Sequence, residues 1–214
     1  MSVVNEKAQP TLLHHQAFRW IGKKRGEWTA ALAAIVVLHA LFEDGVSPLN
    51  LLDPRPSARW LVCWMLLLVG VAVRIWAAGN LRKKTEVTMT GVYAMVRHPL
   101  YLGTLLIYLG AFVALGNLYI GGPALIVMIL VVFYPRIRQE EALLLATFPD
   151  RMDEYKRTPL IVPNPLLFRS AIETDKFSLS MASSNLGLRS AWVVVLVPLL
   201  LEVVTWLKAA YLAR

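Results

Sequence analysis

The sequence predicts an all-α fold, a polytopic membrane helical bundle of about five transmembrane helices. Three observations predict it. Apolar runs recur at 28–42, 60–78, 100–116, 119–134 and 191–212. Charged residues make up only 17% of the 214, hydrophobic ones 57%, and mean hydropathy is +0.55, whereas a soluble domain carries about 25% charged residues. Lys and Arg concentrate at the ends of alternate runs, as in loops kept on one side of a bilayer.

Each element has its own justification. Residues 1–27 are polar and mostly basic, with Arg19, Lys23, Lys24 and Arg25, and show no signal-peptide core or cleavage pattern. The first run, 28–42, then reads as a retained anchor, at the short end of what ~30 Å of hydrocarbon requires. Pro48, Pro54 and Pro56 break the next loop, whose charge is near balance. Run 60–78 reads as a spanning helix, with Arg74 near its end placed to snorkel. Runs 100–116 and 119–134 form a hairpin turning at Asn117, Gly121 and Gly122. Residues 163–190, with Pro163 and Pro165 at the start and Ser178, Ser180, Ser183 and Ser184 later, read as a linker with interfacial turns. Pro198 places a kink in the last run.

Charge placement sets the orientation. With the N-terminus inside, the basic segments 1–27, 79–99 and 135–190 all fall on the cytoplasmic side. The net charge of +8 thus reads as topology, and nucleic acid is excluded as a partner. Lone Cys63 makes neither an intrachain disulfide nor a four-ligand zinc site.

The hairpin brings two polar clusters to one membrane face. The first is Arg97-His98-Pro99-Leu100-Tyr101, with Gly103 beyond it. Pro99 suits a first helical turn, and Arg97, His98 and Tyr101 share a face. Gly103 lets a ligand or a neighbouring helix approach closely. The second cluster is Arg136 with Glu140 and Glu141. Taken singly, these residues also suit a headgroup belt or a surface ion pair. Together they suit a zwitterion bearing a carboxylate, an ammonium and a flat base, with a cation for the first and Glu for the second. S-adenosylmethionine is such a molecule. The glycine-rich strand-to-helix fingerprint of a soluble nucleotide fold is missing.

The ordered set Gly91, Tyr93, Arg97, His98, Pro99, Tyr101 and Gly103, then Asn117, Arg136, Ile137, Glu140 and Glu141, then Phe148 and Tyr155-Lys156-Arg157, resembles the isoprenylcysteine carboxyl methyltransferase family. That superfamily includes phospholipid methyltransferases. The resemblance covers roughly 80–163. It implies an integral membrane methyltransferase using S-adenosylmethionine from the cytosolic side, on a lipophilic or prenylated acceptor that enters from the bilayer. The chain then divides into a cytoplasmic segment at 1–27, a membrane methyltransferase core at 28–162, a linker at 163–190 and a transmembrane helix at 191–212 that is additional to the family core. By position, Tyr93, His98, Pro99, Tyr101, Gly103 and Asn117 would line the cofactor pocket, and Glu140 or Glu141 would hold the ammonium. Arg97 and Arg157 would orient an acceptor carboxylate. With an amine acceptor, Glu140, Glu141 or His98 would take its proton. No metal is required. Pro149 and Met152 depart from the family pattern.

Two other classes share parts of this pattern. Membrane sterol-type reductases carry a similar Arg-His-Pro-x-Tyr-x-Gly string and use NADPH, but there an acidic residue follows where this chain has Thr104. A non-enzymatic membrane protein that keeps the pocket for binding alone is the other.

Overall fold

The computed structural model describes residues 25–43, 47–52, 57–82, 85–185 and 187–212. Most of the expected N-terminal segment 1–27, and Arg214, lie outside the described residues. Among those described, the structure is helical without strands. The long helices are α1 (Arg25–Phe42), α2 (Ala58–Asn80), α3 (Pro99–Leu115), α4 (Leu118–Thr147) and α8 (Val193–Leu212). Short helices α5 (Met152–Arg157), α6 (Phe168–Glu173) and α7 (Leu179–Ser184) lie between α4 and α8.

Among the described residues, three helices are long and apolar enough to cross a bilayer: α2, α4 and the 24-residue stretch Leu188–Tyr211 that includes most of α8. The apolar parts of α1 (Ala30–Phe42) and α3 are shorter. At 1.5 Å per residue, α3 reaches only about 25 Å. The expected five spans are thus three full-length helices and two shorter ones within one bundle.

Small residues set the central packing. Gly70 of α2 faces Gly103 of α3, and a Cβ on Gly103 would lie 2.7 Å from the Gly70 carbonyl oxygen. Gly110 sits less tightly, where a Cβ would lie 3.1 Å from Leu66 Cβ and 3.3 Å from the Cys63 carbonyl oxygen. Where lipid offers no hydrophobic gain, close backbone approach of this kind is what holds helices together. Leu67, Cys63, Phe112, Leu201 and Val204 fill the core behind it.

Polar side chains lock the end of the bundle that holds the α3–α4 turn. Gly116 ends α3 in the left-handed region at φ 76°. The exposed carbonyls of α3 are then taken by Arg59, whose Nε donates to Val113 O at 2.9 Å and Nη2 to Ala114 O at 2.7 Å. Lys208 near the end of α8 donates to Ala40 O at 3.1 Å and to Glu43 O. Both are cations on helix C-termini, where the dipole favours them.

Helix α4 runs on past the expected end at 134 as one 30-residue helix. A π-helical stretch, Met128–Phe133, interrupts it just before Pro135. Proline lacks the N–H for the preceding turn and its ring crowds the carbonyl four residues back. Widening the turn relieves both.

Residues 163–190, expected as a linker, pack onto the end of α2. Asn80 Nδ2 donates to Asp175 Oδ1 at 2.7 Å, and Asn80 Oδ1 accepts from Lys176 N at 3.0 Å. Asn185 Nδ2 donates to Ala78 O and Leu81 O, capping α2. The α2 terminus leaves unsatisfied carbonyls, and an Asn pair supplies their partners.

Candidate active site

The chain enters α3 through a compact turn. A 3-10 helix, Gly91–Ala94, begins at a glycine with φ 60°, beside whose Cα the Asn80 carboxamide sits too close for any Cβ. Residues 95–98 then run alongside 159–164. Arg97 N donates to Pro159 O at 2.8 Å, His98 N to Leu160 O at 3.2 Å, and Asn164 N to Met95 O at 3.1 Å. This pairing aims Arg97 and His98 at the extension of α4.

There the two polar clusters meet. Arg97 Nη1 donates to Glu141 Oε1 at 2.6 Å. Tyr101 Oη donates to Glu140 Oε1 at 3.0 Å, and Arg136 Nε to the same oxygen at 3.2 Å. The His98 ring lies between the carboxylates, with Nε2 3.5 Å from Glu141 Oε1 and Nδ1 3.9 Å from Glu140 Oε2. Tyr155 closes the cluster: its hydroxyl is 3.4 Å from His98 Nε2, and the Arg97 guanidinium lies 5.6 Å from its ring centre.

Burial decides the protonation states. His98 is only 6% exposed, and loss of hydration pulls its pKa below the ordinary 6.5, against the opposing pull of Glu140 and Glu141. The imidazole is therefore neutral at pH 7. Burial likewise pushes the Tyr93 and Tyr155 phenols above their ordinary range, with the neighbouring carboxylates adding to it. Both stay protonated.

A cavity of about 730 Å³ opens from this cluster, within the ~300–1,000 Å³ usual for small-molecule sites. Its charged end is lined by Arg97, His98, Arg136 and Glu140, with Tyr93, Pro99, Tyr101 and Tyr155. Its other end runs between α3 and α4 past Thr104, Tyr108, Val132 and Phe133. The buried Nε of Arg97 has no hydrogen-bond partner. An unmet donor on a cation beside a carboxylate-lined space fits a zwitterionic ligand with a carboxylate of its own.

Several residues expected in the site stand elsewhere. Gly103 faces Gly70 and Arg74 of α2 rather than the cavity, so it serves helix approach. Asn117 lies at the opposite end of α3, 1% exposed, where its Nδ2 donates to Val36 O at 3.1 Å and meets His39 Nδ1 at 3.1 Å. It ties α1 to the turn. Arg157 is exposed at the end of α5 and does not line the cavity. Glu141 is held by Arg97 and does not line the cavity, whereas its neighbour Glu140 does.

Other lining residues escaped the sequence reading. Arg74, expected to snorkel, turns inward: Nε donates to Ser190 Oγ at 2.7 Å and Nη1 to Leu100 O at 3.2 Å and to Thr104 Oγ1. The signal was present, since an arginine inside an apolar run marks an interior site more often than a lipid face. Thr104 and Tyr108 follow Tyr101 at helical spacing on the same face of α3.

Comparison with known proteins places this architecture. The sequence model of the isoprenylcysteine carboxyl methyltransferase (ICMT) family matches residues 60–146, from the start of α2 almost to the end of α4. The nickel-cobalt-cadmium resistance protein NccN of Alcaligenes xylosoxydans xylosoxydans is 33% identical over 172 residues, covering 77% of this chain and 76% of that protein. The cobalt-zinc-cadmium resistance protein CzcN of Cupriavidus metallidurans is 28% identical over 144 residues, covering 59% of this chain and 66% of that protein. No solved structure matches significantly. With its apolar helices and its polar cluster at one end of the α3–α4 hairpin, the chain is an integral membrane protein that belongs to the isoprenylcysteine carboxyl methyltransferase family of membrane methyltransferases.

Proposed function

We propose that this chain transfers a methyl group from S-adenosylmethionine to a lipophilic acceptor bearing a carboxylate, at the cytoplasmic face of the membrane. The observation that carries this is a cavity whose lining joins the charged cluster of Arg97, His98 and Glu140 to Tyr108, Val132 and Phe133 of the membrane helices. A polar co-substrate from water and an apolar one from lipid would meet in such a space. The density of basic residues at this end, Arg136, Arg138, Lys156, Arg157, Arg169 and Lys176 among them, supports its lying inside.

Glu140 would hold the ammonium of the co-substrate, with Tyr101 and Arg136 fixing the carboxylate's rotamer. The unmet Arg97 Nε–H would take its carboxylate. Neutral His98 and the Tyr93 phenol would face its uncharged parts. When bound, the co-substrate supplies an electrophilic methyl on a sulfonium. In such a transfer the acceptor's carboxylate oxygen would form the new bond to carbon as the carbon–sulfur bond breaks, its electron pair staying on sulfur. No proton moves, so the residues act by alignment and water exclusion. With an amine acceptor, neutral His98 would be the nearest base. The relatives' names concern metal resistance. Under this reading, the present chain's part in such a trait would be covalent modification of a membrane component.

Calorimetry of the detergent-purified protein with S-adenosylmethionine and with NADPH tests this. Binding of the first alone, followed by release of labelled methyl into the lipid fraction of membranes, is expected. Binding of NADPH alone would favour a reductase. Binding of S-adenosylmethionine with no transfer into any lipid or protein fraction would leave a binding protein.

A further inference from the structure

The segment between α4 and α8 carries apolar side chains that the fold leaves outside. In α6, Phe168 is 52% and Ile172 56% exposed, and Leu166 just before it stands out further. A helix face that water covers is ordinarily polar. Spacing separates the sides of α6. Phe168 and Ile172, four apart, share one face. Arg169 and Glu173 share the next, about 100° round, where Arg169 Nε donates to Glu173 Oε1 at 2.8 Å. On the protein side α6 packs against the 3-10 helix Gly91–Ala94, and Ala171 is its one buried residue.

Neighbouring elements fix the depth of this segment. Ser178 N donates to Gly79 O at 3.1 Å in the last turn of α2, and the chain enters α8 through the 3-10 stretch Leu188–Trp192. Residues 166–179 therefore lie level with the ends of two membrane-spanning helices. Two tryptophans mark the same level. Trp76 donates Nε1 to Asp175 Oδ1 at 3.0 Å, and Trp192 is exposed at the entry to α8. Tryptophan concentrates at the headgroups. An apolar face, a charged face and protein behind, at that depth, is the arrangement of a helix lying in the plane of the interface.

We infer that α6 docks on the lipid surface, with Phe168, Ile172 and Leu166 inserted among the upper acyl chains and Arg169 and Glu173 in the water above. The partner is the leaflet itself, continuous with the lipid around α2 and α8. Thr174 Oγ1 accepts from Gly91 N at 3.3 Å, so the docked segment also backs the turn that leads to Arg97 and His98. This holds whatever reaction the cavity supports.

The test uses the full chain with Cys63→Ala in phosphatidylcholine nanodiscs. Nitroxide labels are placed one at a time on Phe168→Cys, Arg169→Cys, Ile172→Cys and Glu173→Cys. Relaxation by oxygen, which concentrates in lipid, is compared with relaxation by a water-soluble nickel chelate. Oxygen should dominate at 168 and 172, and nickel at 169 and 173. Nickel dominating at all four overturns the inference. Shielding of 168 and 172 from both reagents also overturns it, because protein, a second copy included, would then cover the face. The unaltered chain decides if a labelled variant misfolds. Phosphatidylcholine carrying a diazirine at the top of one acyl chain should crosslink within 166–172, as read by mass spectrometry. Crosslinks on α2 and α8 with none in 166–172 overturn the inference.

Discussion

The two adjacent carboxylates should fail in different ways when neutralised. Glu141 is 13% exposed at its side chain and Arg97 16%, with 2.6 Å between them. Glu141→Gln leaves Arg97 without its anion, at a cost below the ~3–5 kcal/mol of breaking a fully buried pair, about 2–3 kcal/mol. At ~2–4 °C per kcal/mol for a chain of this size, the melting temperature should fall by roughly 4–12 °C. Glu140 is 36% exposed and already shared between Tyr101 and Arg136. Glu140→Gln should leave stability nearly unchanged, because a half-exposed pair is worth at most ~1 kcal/mol. It should instead weaken S-adenosylmethionine binding by about tenfold or more, the ~1.5–3 kcal/mol of a hydrogen bond between charges. Differential scanning fluorimetry and titration calorimetry on the two variants separate these effects. Equal affinity losses with no change in melting would show that both carboxylates touch the ligand, and the division drawn from the structure would be wrong.

Three further outcomes are expected. His98 has a folded pKa below its unfolded 6.5, so the unfolded chain binds more protons between the two values. Stability should therefore fall as pH drops below about 6.5 and level off beneath the folded pKa; melting curves of His98→Gln should lack this slope, and an unchanged slope would remove His98 as its source. Gly103→Leu should destabilise by at least ~1–3 kcal/mol, since its Cβ would lie 2.7 Å from Gly70 O and push α2 from α3; a melting temperature within error of the parent would contradict that packing. Asn117→Ala should lower stability by ~1–2 kcal/mol through the lost bonds to Val36 and His39, with cofactor affinity unchanged; a tenfold affinity loss in calorimetry would return Asn117 to the cavity.

What the sequence made legible follows from which forces are local. Apolar runs are set by the bilayer, so α2, α8 and the start of α4 stand close to their expected positions. The meeting of Tyr101 with Glu140 follows from hairpin connectivity alone, since a short turn at Asn117 returns α4 beside α3. Residue roles that depend on facing were less accessible. Gly103 and Tyr101 are two residues apart, about 200° around a helix, and only the packed structure shows which faces α2. Asn117 and Arg157 belong to the resemblance, yet motif order carries no information on depth or direction. The continuation of α4 to Thr147 was hidden because Arg136, Arg138, Glu140 and Glu141 end the apolar signal without ending the helix. Packing of 163–190 onto α2 rests on Asn80 and Asn185, whose polar side chains read equally well as loop.

The wide turn ahead of Pro135 has a bearing on the doublet downstream. A stretch of this kind holds one residue more than regular winding needs, so it sets the azimuth of everything after it. Winding the same residues evenly, as loss of Pro135 would allow, would turn the distal half of α4 by about 100°. Gln139 would then occupy the bearing Glu140 now has, and Glu140 would swing off the chamber. Which of two identical side chains lines the cavity is thus decided about 10 Å away, by a proline and the slack that accommodates it.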